Sequence, residues 1–157
     1  MNNQPSALKQ LDVFIGEWEV QVSVDGSSMG RDKTLFEWTE DGAFLLQRTH
    51  ITSTEGMPDE WLENTPKRVV TLIGFDDARE EFVQLHVDDR GVYRIYQMSF
   101  ENGVWKLWRD APGFNQRFVG EFSEDGGVIS GYWDISTDGK KWERDFDLTY
   151  SRKQPSE

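Results

Sequence analysis

The chain has 157 residues and a net charge of -12, from 17 basic and 29 acidic residues, so we expect it to bind neither nucleic acid nor an anionic membrane surface. It has no cysteine and only two histidines, His50 and His86, which excludes disulfides and thiolate metal sites and predicts no metal centre. The length suits a single domain over residues 1–157, and because no run of about 18 apolar residues or leader pattern is present, a cytoplasmic protein is expected.

The first predicted element is a short helix from Pro5 to Phe14. Pro5 suits a first helical turn, and Leu8, Leu11 and Phe14 recur at helical spacing. No later segment has this spacing as clearly, so strands and turns are predicted for the rest of the chain.

From Trp18 onward, apolar and polar residues alternate with a period of two, which is typical of a sheet with one wet face. The clearest run is Trp18–Val24, and similar runs cover residues 31–39, 43–52, 67–76, 80–88, 92–100, 104–110, 114–123, 127–136 and 140–151. About ten strands are therefore predicted. The long irregular stretch from Ser53 to Pro66 contains Met57 and Trp61, and it either covers a barrel mouth or is a loop without a role.

Tight turns connect these strands. Asp-Gly or Asn-Gly pairs occur at residues 41–42, 102–103, 125–126 and 138–139, and such pairs favour short hairpins. Because consecutive strands then pair with each other, the prediction is an all-β, up-and-down antiparallel barrel over about residues 16–152, since closure removes the exposed edges. An open sandwich is the alternative fold.

The turns also predict which residues face inward. A two-residue turn at 125–126 gives the opposed pairs Phe118 with Trp133 and Gly120 with Gly131. A two-residue turn at 138–139 gives the opposed pairs Trp133 with Arg144 and Gly131 with Phe146. On this register Glu121, Asp145 and Asp147 face water. The two opposed glycines are expected to leave space for Phe146 or for a ligand.

The predicted inner face also carries arginines, although the protein is acidic overall. The turn at 102–103 places Arg94, Tyr96 and Met98 on one face with Trp105 and Arg109. Inward guanidinium groups need a partner, which is either a ligand carboxylate, a neighbouring group such as Asp110, Asp134 or a backbone carbonyl, or the ring of Trp133. The candidate ligand-binding residues are Arg94, Tyr96, Met98, Trp105, Arg109, Gln116, Phe118, Trp133, Arg144 and Phe146.

Gly16-Glu17-Trp18, directly after the predicted helix, resembles the Gly-x-Trp signature of the lipocalin and calycin superfamily. In that superfamily the tryptophan closes the barrel floor and stacks under an arginine from the chain end. The resemblance therefore implies that Gly16, Trp18 and Arg152 close this barrel.

Segments along nearly the whole chain, including residues 74–76, 94–99, 104–109, 112–114 and 145–150, resemble a bacterial lipocalin-like family of unassigned function. Arg94-Ile95-Tyr96 is also similar to the Arg-x-Tyr pair with which fatty-acid-binding proteins hold a carboxylate. Nitrobindin-like barrels bind haem through a histidine near the chain end, and because no histidine follows His86 here, no cofactor is expected.

Three functions are compatible with these features. The first is non-catalytic binding of a small apolar or amphipathic anion, such as a medium or long carboxylate, inside the barrel. The second is an enzyme that uses the same cavity, with His50 or His86 as the acid–base group and Asp134 or Asp88 as its partner. The third is a filled barrel that acts as an interaction module or homodimer through aromatic residues such as Trp108 or Tyr132.

Overall fold

The computed structural model describes residues 6–154. A 3₁₀ helix spans Ser6–Phe14, and one short helix, α1, spans Asp59–Asn64. The strands are β1 (Gly16–Val24), β2 (Ser27–Trp38), β3 (Leu45–Ser53), β4 (Arg68–Asp76), β5 (Glu81–Asp88), β6 (Tyr93–Glu101), β7 (Val104–Arg109), β8 (Asn115–Phe122), β9 (Val128–Ser136) and β10 (Glu143–Arg152). Among these residues no helix has the length and apolar character needed to span a bilayer.

The ten strands form one closed antiparallel barrel. Each strand pairs with its neighbours in sequence, and β1 pairs with β10 to close the sheet, with Trp18 opposite Arg152. The β6–β7 turn shows why the sequence marks the hairpins so clearly: Asn102 (φ 51°) and Gly103 (φ 76°) both adopt left-handed backbone conformations. The predicted up-and-down barrel is therefore confirmed, and the open sandwich is wrong.

The 3₁₀ helix closes one end of the barrel, here called the floor. Leu8, Leu11 and Phe14 are spaced by three residues, which places them on one side of a helix with three residues per turn, and all three are buried. The Phe14 ring lies 4.9 Å from the Trp105 ring and 5.0 Å from the Phe36 ring. The start of the predicted helix, Pro5, lies outside the described residues.

Gly16, Trp18 and Arg152 meet at the floor. Trp18 is fully buried, its indole Nε1 donates to the Phe14 carbonyl at 2.8 Å, and the Arg152 guanidinium lies 4.1 Å from its ring. The same guanidinium donates to the carbonyl oxygens of Val13 and Ile15. Gly16 has φ +127°, and a Cβ there would lie 3.0 Å from the Arg152 Nη1, so both backbone conformation and space favour glycine.

The β6–β7 and β8–β9 registers agree with the turn-derived predictions, with Phe100 opposite Trp105 and Phe118 opposite Trp133. The β9–β10 register does not agree. The loop after β9 extends to Trp142, and a bulge between Arg144 and Phe146 shifts the pairing so that Phe146 lies opposite Trp133.

This bulge overturns the inward placement of Arg144. Its side chain lies on the outer face, where it pairs with Asp134 at 2.9 Å and Asp147 at 2.8 Å. Asp145, predicted to face water, is instead half-buried, because it is the extra residue in the bulge. Phe146 still faces inward, because its partner on β9 is Trp133 where Gly131 was predicted, a shift of two residues.

Aromatic side chains fill the half of the barrel nearest the floor. The Phe118 ring lies over the opposed glycines, since a Cβ on Gly120 would be 2.9 Å, and one on Gly131 2.8 Å, from ring atoms. Phe118 also contacts Trp105, with ring centroids 4.9 Å apart. The space predicted above the glycines is therefore occupied by Phe118, and an empty cavity does not reach the floor.

The segment between β3 and β4 lies over the opposite end, here called the mouth. Trp61 on α1 packs edge-on against Phe146, 5.8 Å between centroids, and Phe146 lies on the inner face of β10. The carbonyl of Asn64 accepts a hydrogen bond of 2.8 Å from Arg90 in the turn between β5 and β6. Because α1 contacts both the inner face of β10 and the turn between β5 and β6, it lies over the mouth.

Candidate functional site

The barrel interior contains polar side chains as well as the aromatic floor. Among the described residues, six polar ones are buried, each at most 7% exposed: Thr34, Gln47, Thr71, Gln84, Gln116 and Ser136. The first five face the interior, whereas Ser136 has the outward alternation of β9 and binds the following loop at Asp138 and Gly139. Buried polar groups of this kind are normally paired, because an unpaired one costs desolvation without return. Their hydrogen-bond partners therefore show in which part of the interior the polar groups are all paired and in which part they are not.

On the wall formed by β2, β3 and β4 the polar groups satisfy each other. Gln47 donates through Nε2 to Thr34 Oγ1 at 3.0 Å, and it accepts at Oε1 from Thr71 Oγ1 at 2.8 Å. Burial raises the pKa of Tyr150 on β10, with the charge of Asp32 adding to the effect and a hydrogen bond with Gln47 opposing it. This network closes on itself and holds the wall rigid.

Asp32 is an acidic group on the same wall. Its register places it opposite Val20 on β1 and Ile51 on β3, so it faces inward. Burial raises the pKa of Asp32 to about 6, and no side-chain hydrogen bond or ion pair with another of residues 6–154 offsets that burial.

The adjoining strand β5 and the turn that follows it supply a chain of three contacting side chains, His86, Asp88 and Arg90. His86 Nε2 lies 2.8 Å from Asp88 Oδ2, and Arg90 binds the same carboxylate through Nε at 3.1 Å and Nη2 at 2.7 Å. Burial opposes ionisation of Asp88, whose side chain is 0% exposed, but the hydrogen bonds from Arg90 and His86 outweigh it and hold its pKa well below the usual range. Burial also lowers the pKa of His86, so the neutral imidazole is favoured at neutral pH despite the nearby carboxylate.

Beside this chain lie two arginines with aromatic neighbours. Arg94 is opposite His86 in the register, and its guanidinium lies 5.1 Å from the Phe114 ring centroid. The Arg109 guanidinium lies 5.8 Å from the Tyr96 ring, and the Tyr96 hydroxyl donates to Gln116 Oε1 at 2.8 Å. Within the described part of the chain, neither guanidinium forms a side-chain hydrogen bond or an ion pair.

Gln84 on β5 also belongs to the β5–β6 wall, and its side-chain amide is not fully hydrogen-bonded. It lies between Ile73 and Tyr96 in the register and is 4% exposed, yet its Oε1 has no hydrogen-bond partner among the described residues. The other buried atom in this condition is Trp105 Nε1, near the floor. A buried acceptor without a partner is costly, so Gln84 Oε1 is a group on the β5–β6 wall that gains from a hydrogen-bond donor.

Nine of the ten residues predicted to bind a ligand lie on the inner face, and Arg144 does not. Met98, Trp105 and Phe118 belong to the packed half of the barrel, where each is at most 3% exposed. The residues near the mouth are Arg94, Tyr96, Arg109, Gln116, Trp133 and Phe146. The sequence-based set omitted Gln84 and Asp32, although both occupy inward positions of an alternating strand and their polarity was a visible signal.

Of the histidine–aspartate pairs predicted for an enzyme, the structure brings together His86 and Asp88. His50 is exposed on the outer face of β3, and Asp134 lies outside, where it pairs with Arg117 and Arg144. His86 and Asp88 are the histidine and aspartate in contact. Among residues 6–154 no group of three metal-ligating side chains is assembled.

No family model matches the chain, and no curated protein is significantly similar in sequence. Among solved structures the chain is similar to the crystal structure of Rv2717c from M. tuberculosis, with a TM-score of 0.63 and 12% sequence identity, covering 97% of this chain and 100% of that chain. Since one fold hosts many functions, the likeness shows that this chain shares an overall fold with the mycobacterial protein, and any functional conclusion depends on the residues inside the barrel.

Proposed function

We propose that the barrel binds a small carboxylate-bearing molecule, without catalysis, at the mouth end of its interior. The observation that carries this proposal is the pair of inward arginines, Arg94 and Arg109, which have no ionic partner within the described residues. A partly buried guanidinium without an anion is costly, and a carboxylate satisfies it through two parallel hydrogen bonds. His86, opposite Arg94, supplies a further polar contact.

The shape of the interior favours a short ligand with a polar body over a long alkyl chain. Phe118 and Trp105 fill the half below the site, so an extended tail has no path toward the floor. The wall also presents the unpaired Gln84 Oε1, which an alkyl chain leaves unsatisfied and a hydroxyl or amide hydrogen satisfies. An aromatic acid with a hydrogen-bond donor fits both features, because Trp133 and Tyr96 supply ring faces.

Calorimetric titration with 4-hydroxyphenylacetate, its alcohol analogue 4-hydroxyphenylethanol, and octanoate tests the proposal. The hydroxylated acid is expected to bind with Kd below about 1 mM, corresponding to about 4 kcal/mol, and more tightly than octanoate or the alcohol. Arg94→Ala and Arg109→Ala are each expected to weaken binding of the acid about tenfold or more while leaving the alcohol nearly unchanged.

Arg144→Ala is the matched control, because Arg144 lies on the outer face and touches none of these groups. It should leave every titration unchanged. If no acid binds, or if the Arg94→Ala and Arg144→Ala variants behave alike, the carboxylate site does not exist and a filled, purely structural barrel is the better account.

A second candidate function, proton transfer to or from a bound substrate, is favoured by one observation. His86 Nε2 contacts a carboxylate that Arg90 holds in place, and this arrangement orients the imidazole and leaves Nδ1 as the ring nitrogen free to exchange a proton. Release of nitrophenolate from nitrophenyl esters by the wild type, abolished in His86→Gln and retained in His50→Gln, would support it. Equal rates in all three proteins would exclude this role for His86 with such esters.

A further inference from the structure

An uncharged apolar patch covers the outer surface of β4, β5 and β6 and reaches the start of β3, where Arg48, paired with Glu37, bounds it. Its members point away from the interior on β4, β5 and β6 and at the start of β3: Phe44, Leu46, Val70, Leu72, Val83, Leu85, Val87, Tyr93 and Ile95. We call this surface the outer patch. It lies on the opposite side of the sheet from the ligand site and is independent of it.

The strand register makes the outer patch continuous. Leu85 is paired with Leu72 on one side and with Ile95 on the other, which forms a row across three strands. The next row toward the mouth repeats this arrangement with Val70, Val87 and Tyr93. Phe44 extends the patch toward the floor by covering Gly74, where a Cβ would meet its ring at 3.1 Å.

Several of these side chains are more exposed than is usual for large apolar residues. Tyr93 is 64% exposed, Ile95 52%, Phe44 43% and Val70 38%. Strands that face water on one side normally carry polar residues there, as β1 does with Glu17 and Glu19. Contiguous exposed apolar surface of this kind marks an interaction site.

We propose that the outer patch is the interface of a two-fold symmetric homodimer. Two chains of net charge -12 repel each other, so self-association requires a face on which acidic groups are absent. The outer patch meets that condition, because its nine positions are uncharged and the acidic Glu37, next to Leu46 at its edge, is paired with Arg48.

The charges at the two ends of the outer patch favour a second copy of this chain as the partner that binds it. At the mouth end Lys67 and Arg68 outnumber Asp89, and the neighbouring Arg90 is neutralised by Asp88. At the floor end the charged residues are predominantly acidic: Asp76, Asp77, Arg79, Glu80 and Glu81. A two-fold axis lying in the interface and perpendicular to the strands brings the basic end of one copy against the acidic end of the other.

The extent of the outer patch suits such an interface. Four strands about 4.8 Å apart, each with two or three outward residues about 6.6 Å apart, give a footprint of roughly 20 by 20 Å with side chains included. Stable interfaces bury about 800 Å² per partner, with an apolar core inside a polar rim. The outer patch supplies the core, and the charged ends supply the rim.

The sequence-predicted interface at Trp108 and Tyr132 is less suited to this role. The Arg144 guanidinium lies 3.8 Å from the Tyr132 ring and covers it, and Arg144 is itself paired with Asp134 and Asp147. That surface is therefore occupied by the protein's own ion pairs, whereas the outer patch is bare.

Light scattering coupled to gel filtration tests the dimer directly on the full chain. The wild type is expected at about twice the monomer mass of 18.3 kDa, and Ile95→Glu is expected at the monomer mass. Val128→Glu is the matched control, since Val128 is also an outward strand residue, 36% exposed, but lies on β9 outside the outer patch. Circular dichroism and thermal unfolding establish that each variant is folded.

A cysteine cross-link gives a second, independent measurement, because the chain has no cysteine of its own. Leu85 lies in the middle of the outer patch, so a two-fold axis through this region places its two copies close together. Leu85→Cys should oxidise to a covalent dimer on a denaturing gel, and Val128→Cys should not. A monomeric wild type, a dimer that survives Ile95→Glu, or equal cross-linking of both cysteine variants overturns the proposal.

Discussion

Replacing Asp32 by asparagine should make the protein more stable above about pH 6 and leave it nearly unchanged at about pH 4. Asp32 faces inward among Val20, Ile51 and Tyr150, and burial raises its pKa from 3.8 to about 6. The folded protein therefore holds a proton on this carboxyl that the unfolded chain has already released between these two pH values. Because the native state binds more protons there, stability falls as the pH rises.

The size of the effect follows from the same two values. The interval from 3.8 to about 6, at about 1.4 kcal/mol per pH unit, corresponds to roughly 3 kcal/mol of stability that is present below pH 3.8 and lost by the time the pH exceeds 6. Asparagine keeps the shape of the side chain and cannot ionise. It should therefore recover most of that free energy at about pH 8.

Urea denaturation of the wild type and Asp32→Asn, at a series of pH values between about 4 and 8, measures the difference. Glu121→Gln on the outer face of β8 serves as the control and should follow the wild type. If the free energies of unfolding of the wild type and Asp32→Asn stay parallel across this range, the carboxyl is not desolvated and the reasoning fails.

Two further substitutions test the floor and the ligand wall. Trp18→Ala should lower the free energy of unfolding by about 3–5 kcal/mol, because Trp18 is fully buried and removing it also strips the stacked surface from Arg152; an unchanged denaturation midpoint would refute its role at the floor. Gln84→Leu should stabilise the ligand-free protein by about 1–3 kcal/mol, because it removes a buried acceptor without a partner, and it should weaken binding of 4-hydroxyphenylacetate while sparing octanoate. Thermal unfolding and the calorimetric titrations described above measure both effects, and a destabilised Gln84→Leu would show that the amide is satisfied.

The turns explain why most of the barrel could be predicted from the sequence. A two-residue turn and a four-residue loop give the same strand register when both are centred on the same Asp-Gly pair. In the β8–β9 hairpin, Ser123 and Val128 close a four-residue loop around Asp125-Gly126, and the predicted residue pairs are therefore still correct. The β9–β10 register escaped prediction for a physical reason. The Asp138 carboxylate accepts from the backbone of Lys140 and Lys141 and thereby stabilises a longer loop, and the following bulge depends on local backbone geometry that residue alternation does not encode.

The candidate site was predictable only in part, because the outer face of β4 and β5 is largely apolar while the inner face of β5 is largely polar. With Val70, Leu72 and Leu85 pointing outward, the alternation on these strands does not separate inside from outside in the usual way. In the sequence, polar residues that face inward, such as Gln84, are then easily taken for residues that face solvent. Pairing with β6, whose inward residues are marked by the Asn102-Gly103 turn, resolves the ambiguity once the strands are placed side by side.

The hydrogen bonds that Arg152 makes at the floor of the barrel make folding depend on the order in which the chain is synthesised. Arg152 donates to carbonyl groups 137 and 139 residues earlier in the chain, and β1 has no partner on one side until β10 arrives. Early strands can form hairpins as they emerge from the ribosome, but the edge of β1 stays unpaired until nearly the whole chain is made. Contacts of such long sequence separation are associated with slow folding, so closing the ring is expected to be the late, rate-determining event and the open-edged sheet the species most exposed to aggregation.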